Sequence, residues 1–131
     1  MVSGEWSESA LVRMTNLDQD APPNSIAEWV TALFDELHDP QVLEVVLTPG
    51  GGDAIMACRG AAGTLRQRRL PSPLVAGVLA KMKKLARLDV AERSRPQCGN
   101  VRLLNFHGSS TEFEVATRPA GDGEALTLRR L

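Results

Sequence analysis

Apolar residues along the chain first fall into a regular pattern after residue 24. Ile26, Trp29, Val30, Leu33, Phe34 and Leu37 recur at i, i+3, i+4, i+7, i+8 and i+11, which is one face of an α-helix. Ser25 is placed to cap it, and Glu28 three residues on completes a capping-box pattern. Asp39-Pro40 should end it. The period then changes. "VLEVVLTP" from Val42 to Pro49, "AIMAC" and "TLRQRR" are short, β-rich segments separated by "PGGGD" and "GAAG". They predict a three-stranded antiparallel meander over Val42–Arg69. A second helix is expected from "SPLVAGVLAKMKKLARL", with Ser72 as cap, Pro73 in its first turn, and Leu74, Val75, Val78, Leu79, Met82 and Leu85 as the buried face. Three more strands follow, at Asn100–Phe106, Glu112–Thr117 and Ala125–Arg130, with "HGSST" and "RPAGDG" as turns. The predicted order is α-βββ-α-βββ, an α+β sandwich of antiparallel sheets and helices.

Residues 1–24 read differently. They are acidic and polar, close with "APPN", and are expected to form a flexible segment with a short helix near Glu8–Met14. Residues 25–131 are expected to form a single domain. The chain of 131 residues is long enough to bury a core without disulfides or metals. A net charge of −1 argues against a general nucleic-acid coat or a membrane-surface protein. Charge is nevertheless segregated, because most Lys and Arg lie within residues 59–102. No signal peptide and no apolar run long enough to span a bilayer is visible, so a cytoplasmic protein without membrane insertion is expected.

The chemistry available is sparse. "PGGGD" lacks the Gly-Lys-Ser/Thr that a phosphate-cradling loop requires and reads as a hairpin turn. His38 and His107 have no nucleophile or carboxylate at a telling spacing. Cys58 reads as a small buried strand residue. Cys98 follows a basic segment that would lower its pKa, although an inert thiol is the preferred reading; two free thiols are preferred over one disulfide. No Walker motif, zinc signature or triad is present, so neither catalytic residues, metal nor cofactor is expected. What remains is a basic cluster from Arg66 to Arg95, either a solvated surface or a contact for an anionic partner. It lacks interleaved aromatics, which makes single-strand nucleic-acid stacking a poor fit.

"ARLDVAERSRPQCGNVRL", then "FEVATRP", then "GEALTLRRL" together resemble the domain preceding the motor core in type II secretion and type IV pilus assembly ATPases. The family pattern there is approximately L-D-I-A-E-R-R-x-P-Q-D-G-R, then R-V-S-T-x-P, then G-E-x-x-V-L-R-L-L. The resemblance runs from about Val42 to Leu131 and is most specific over Leu88–Gly99. It implies a PAS-like α+β fold that packs on a neighbouring motor subunit, with arginines reaching that subunit's ATP phosphates.

Carried over by position, Arg129 matches the Arg of V-L-R-L-L, and Asp89, Glu92, Arg93, Pro96, Gln97, Gly99, Pro119, Gly123 and Glu124 also match. Glu114 stands where the family has a phosphate-facing Arg. Ser94, Cys98, Asn100, Val46, Thr48 and Ala62 replace further polar or charged positions. The resemblance therefore implies a retained fold with altered nucleotide contacts. The motor itself would follow beyond "LRRL".

The function expected is a non-catalytic interaction or regulatory domain. It would dock on a motor subunit, on an inner-membrane platform component or on itself, with ATP met only in trans. Arg129, Arg93, Arg95, Lys84 and Arg87 are the contact residues expected. The alternatives are a PAS-like small-ligand sensor and an ATPase fragment lending arginines to a neighbour's ATP site. Nucleic-acid binding ranks below these.

Overall fold

The computed structural model describes residues 23–104 and 110–131. The expected helix at Glu8–Met14, and Phe106, His107 and most of the "HGSST" turn, lie outside that range. Within it the chain forms α1 (Ile26–Glu36), β1 (Glu44–Gly50), β2 (Asp53–Gly60), β3 (Gly63–Leu70), α2 (Ser72–Leu85), β4 (Gln97–Leu104), β5 (Ser110–Ala120) and β6 (Gly123–Arg130). The six strands make one antiparallel sheet in the order β3-β2-β1-β6-β5-β4. Separate sheets in a sandwich were expected; the two β-meanders instead join edge to edge. The joint is β1 on β6, with Val45 opposite Leu128 and Leu47 opposite Leu126. Val45, Val46 and Leu47 are all buried in succession, as suits a strand with neighbours on both edges.

Both helices lie on one face of this sheet. Trp29, Leu33, Phe34 and Leu37 of the first helical stretch meet Val45, Leu47, Met56, Phe113, Val115, Leu126 and Leu128 in a single core that also takes in Val78 and Met82 of α2. Phe34 and Phe113 meet edge to face, centroids 5.1 Å apart. At each fully buried side chain of this size, burial contributes roughly 1.5–3 kcal/mol. Arg130 continues the tie between sheet and helix by donating to the Leu37 carbonyl just past the end of α1.

The helix ends show how local chemistry sets the elements. At α1, Ser25 Oγ accepts from Glu28 N at 3.1 Å, as the pattern predicts. Glu28 reaches one residue further back than a capping box, to the Asn24 N–H at 2.9 Å. At α2 the sequence expectation needs correcting. Ser72 is the first helical residue and Pro71 occupies the cap position without a side-chain bond. The exposed Ser72 N–H donates instead to Asp53 Oδ1, 2.8 Å away at the start of β2. A carboxylate from the sheet thus supplies the cap and also complements the helix dipole.

Arg87 is not a residue of the helix but its left-handed terminator, with φ 61°. Leu88 N donates to Lys83 O at 2.8 Å and Arg87 N to Lys84 O at 3.1 Å, the bond pair of a Schellman ending. Glycine usually takes this position because a Cβ crowds the carbonyl there. Gly99 carries the opposite constraint: a Cβ on it would sit 2.4 Å from the Ala86 carbonyl oxygen. In urea unfolding, Arg87→Gly should stabilise the domain by about 0.5–1 kcal/mol. Gly99→Ala should destabilise it by about 1–3 kcal/mol, because backbone cannot yield as a flexible side chain can.

Candidate docking site

The segment from Lys83 to Gln97 is built around one ammonium group. Lys83 is 1% exposed, and its Nζ lies 2.8 Å from Glu124 Oε2 of β6. It also donates to the Glu92 carbonyl at 2.7 Å and to the Val90 carbonyl at 3.5 Å. The loop is closed from its other side by Gln97, whose Oε1 accepts from Asp89 N at 2.8 Å and whose Nε2 donates to the carbonyls of Asp89 and Glu92. Asp89 turns its own carboxylate onto the Ala91 N–H. Glu92 accepts from the Ser94 N–H, the Ser94 hydroxyl and Arg95. Asp89, Glu92, Gln97 and Glu124, which match the ATPase pattern, are therefore the fasteners of a rigid loop.

Ser94, with a smaller contribution from Arg95, holds the Glu92 carboxyl at about 2, below its ordinary 4.5. A depressed carboxylate supports the loop above the unfolded pKa near 4.5, and that support is lost as pH falls toward 2.

The basic residues separate into paired and unpaired sets. On β3, Arg66 bonds Glu36 at 2.8 Å and Asp39 at 3.2 Å, and Arg69 faces Asp53 at 3.6 Å. Arg95 pairs with Glu92 at 3.2 Å. Arg129 is held by Glu114, directly opposite it across the β5–β6 ladder. On the other flank of Arg129 lies Glu44, which binds Arg59 at 3.2 Å. These residues form an alternating charge row on the sheet face opposite the helices, since Val45, Val115 and Leu128 of the same strands point into the core.

Of the five expected contact residues, Lys84, Arg87 and Arg93 make no side-chain hydrogen bond or ion pair with any described residue. They gather at the C-terminal end of α2 and the loop after it. Arg129 and Arg95 do not join them as free cations, Arg129 because it stands on the opposite face and Arg95 because it is paired.

Cys98 also needs correction. Its basic neighbours in sequence suggest a lowered pKa, but the thiol donates to Glu114 Oε2 at 3.3 Å. That bond, with some burial and the Glu114 charge, pushes the thiol up, and in return holds the Glu114 carboxyl low. Burial and the nearby Glu36 push Cys58 up to about 12. Both thiols are free, Cys58 in the core and Cys98 on the exposed face.

Beside the Lys83 loop lies an open cleft of about 630 Å³. Its apolar wall is Val75, Ala76, Leu79 and Ala80 of α2 with Val90; its other wall is the β1–β2 and β5–β6 turns with Asp53 and Asp122, and Arg93 also lines it. Sequence reasoning placed Lys83 among exposed cations and missed its burial. The available signal was that Lys83 follows Leu79 by four residues and so continues the apolar stripe.

No protein-family model matches the chain. It is 30% identical over 134 residues to the type IV pilus assembly ATPase TfpB of Acinetobacter baylyi, covering 95% of this chain and 22% of that protein. The chain is homologous to part of the type II secretion and type IV pilus assembly ATPases. It is 28% identical to the type II secretion system protein HxcR of Pseudomonas aeruginosa, covering 86% of this chain and 24% of that protein. To the type II secretion system protein E of Aeromonas hydrophila it is 27% identical, covering 90% and 23%. It thus spans less than a quarter of the length of these secretion-family relatives. Among the described residues, no group of His, Cys, Asp and Glu could hold a metal, and no helix is long and apolar enough to cross a membrane.

Replacing Lys83 with Met should leave Glu124 buried and unpaired and cost about 3–5 kcal/mol in urea unfolding, while Lys83→Met with Glu124→Leu should recover most of it. An NMR titration should place the Glu92 carboxyl near 2, and Ser94→Ala should raise that midpoint.

Proposed function

We propose that this chain is a non-catalytic docking and regulatory domain of the secretion/pilus ATPase type, acting in the cytoplasm on a motor subunit or an inner-membrane platform component. Residues 25–131 act as one unit, and we read its helices on one face of an antiparallel sheet as a PAS-like arrangement. The observation that carries the proposal is the Arg129–Glu114 pair. An arginine that serves a phosphate must present its donors free in a plane. Here a carboxylate occupies them, and the pair would have to break before a nucleotide could be engaged. An exposed pair of this kind stabilises the fold by only about 0–1 kcal/mol. Its consequence lies in neutralising Arg129, the arginine that the resemblance aligns with the Arg of V-L-R-L-L. Most of the described cations left without a partner stand elsewhere, on α2 and the loop after it, where a protein surface can meet them.

The test uses the purified chain with the assembly ATPase and the platform protein of the same cell. The chain alone should release no phosphate from ATP above buffer. It should bind one of the two proteins saturably, and Arg129→Ala should leave the partner's ATP turnover unchanged. Hydrolysis by the chain alone, or a fall of about tenfold in the partner's turnover with Arg129→Ala, would establish a nucleotide role instead.

A further inference from the structure

The geometry points to the α2 cleft as the place where a partner docks, and to an apolar segment flanked by carboxylates as what it takes. This inference rests on the docking function proposed above. Three observations specify it. First, α2 and the loop after it leave an apolar strip partly open among the described residues: Ala76 and Val90 are exposed and Ala80 is half-buried, while Val75 and Leu79 rest against the core and are only half-covered. Second, the strip runs into cations. Ala76, Ala80 and Lys84 follow one another at i, i+4 and i+8 of the helix, so Lys84 continues the apolar line, and Arg87 follows at the terminator just beyond it. Arg93 faces the cleft from the loop. Third, the side chains of those three cations have no anion among the described residues, and neither does that of Lys81 on the same helix, whereas the arginines of β3, the Arg95 guanidinium and Arg129 all have one; Arg118 on β5, away from α2 and its loop, also lacks one. Unsatisfied positive charge is thus concentrated where apolar surface is also exposed.

The occupant follows from the shape and the sign. The cleft is half-open, walled on one side by turns containing Gly51, Gly52, Gly121 and Gly123, where Asp122 would repel a carboxylate, so the charged flank of an occupant is directed to the other end, toward Arg93 and Lys84. A small-molecule site would enclose most of its ligand; an open groove beside a helix suits a short amphipathic segment that lays its apolar side in and its charged side out. A second copy of this chain would bring the same three cations against themselves. An acidic segment is drawn to them, and its binding must weaken with salt because the cations are exposed.

Three fluorescent peptides test this. They share one helical core of leucines and differ only in flanks of glutamate, glutamine or lysine. The glutamate peptide should bind at least about tenfold tighter than the glutamine peptide in about 0.05 M salt, and most of that advantage should vanish at about 0.5 M. The combined Lys84→Gln, Arg87→Gln and Arg93→Gln variant should lose the advantage while retaining its urea midpoint. Ala76→Glu, on an exposed position, should weaken the glutamate peptide, and Thr127→Glu on the opposite face should not.

Equal binding of all three peptides, no binding of any, or indifference to the triple variant overturns the inference. So does tighter binding of duplex DNA that depends on the same three cations, which would make the stripe a phosphate-backbone contact. If the chain still binds the motor or platform protein while the peptides fail, the docking function stands and this surface is the wrong one. If neither is bound, the function itself falls.

Discussion

A single ammonium group, that of Lys83, fixes how the second half of this domain is arranged. Its removal from water is costly by several kcal/mol, and attraction to Glu124 offsets that cost only when further hydrogen bonds complete the site. The carbonyls of Val90 and Glu92 supply them. One helix, one strand and one loop are thereby tied at a point. The Schellman ending at Arg87 aims the chain into the loop, and Gln97 closes it where β4 begins. The conspicuous sequence block around Leu88–Gly99 is thus a device for joining α2 to the sheet. Its polar residues are spent inward on backbone groups that would otherwise lie unsatisfied.

That construction decides which charges can act outside. Cations fall into two populations, and the distinction is one of geometry rather than number. β3 is the edge strand nearest α1, so Arg66 reaches Glu36 and Asp39. Arg129 and Glu114 are register partners, so their side chains share one face and cannot avoid each other. By contrast the last turn of α2 packs on the sheet through Met82, Lys83 and Ala86, and no described acidic group reaches Lys84 or Arg87 on its outer side. A net charge near zero therefore coexists with a local positive field beside an apolar strip.

Much of the fold was legible from the chain. The 3.6-residue period of Ile26–Leu37 placed α1, and the turn residues placed the strands to within a few positions. What was not legible was long-range. The union of β1 with β6 depends on register between segments at opposite ends of the domain, and nothing local in "LEVV" or "ALTL" names the partner. The cap of α2 failed for the same reason: Ser72 is locally a good cap, but Asp53 arrives through the sheet and displaces it. Lys83 shows the limit most sharply. Its place on the apolar stripe was visible, but the carboxylate that makes burial tolerable comes from β6, and without Glu124 in view an exposed lysine was the sounder inference. The family resemblance supplied positions and no partners: it aligned Arg129 and Glu114 separately and could not say that they bind each other.

The Glu114 substitution is best understood through that last point. Seen alone, a carboxylate where the resemblance implies a phosphate-facing arginine is a repulsive change. Seen across the ladder, it gives Arg129 a partner at once and accepts the Cys98 thiol as well. Cys98 and Asn100, where the resemblance implies Asp and Arg, both lie on the same face of β4, with Asn100 directly opposite Glu114. These exchanges fall on one patch of one sheet face and suit one another chemically. Arginine beside arginine on such a patch needs an external anion to be stable; arginine beside glutamate does not. Around Arg129 the patch satisfies itself without an external anion, and most of the positive charge left without a described partner lies across the domain, at the end of α2.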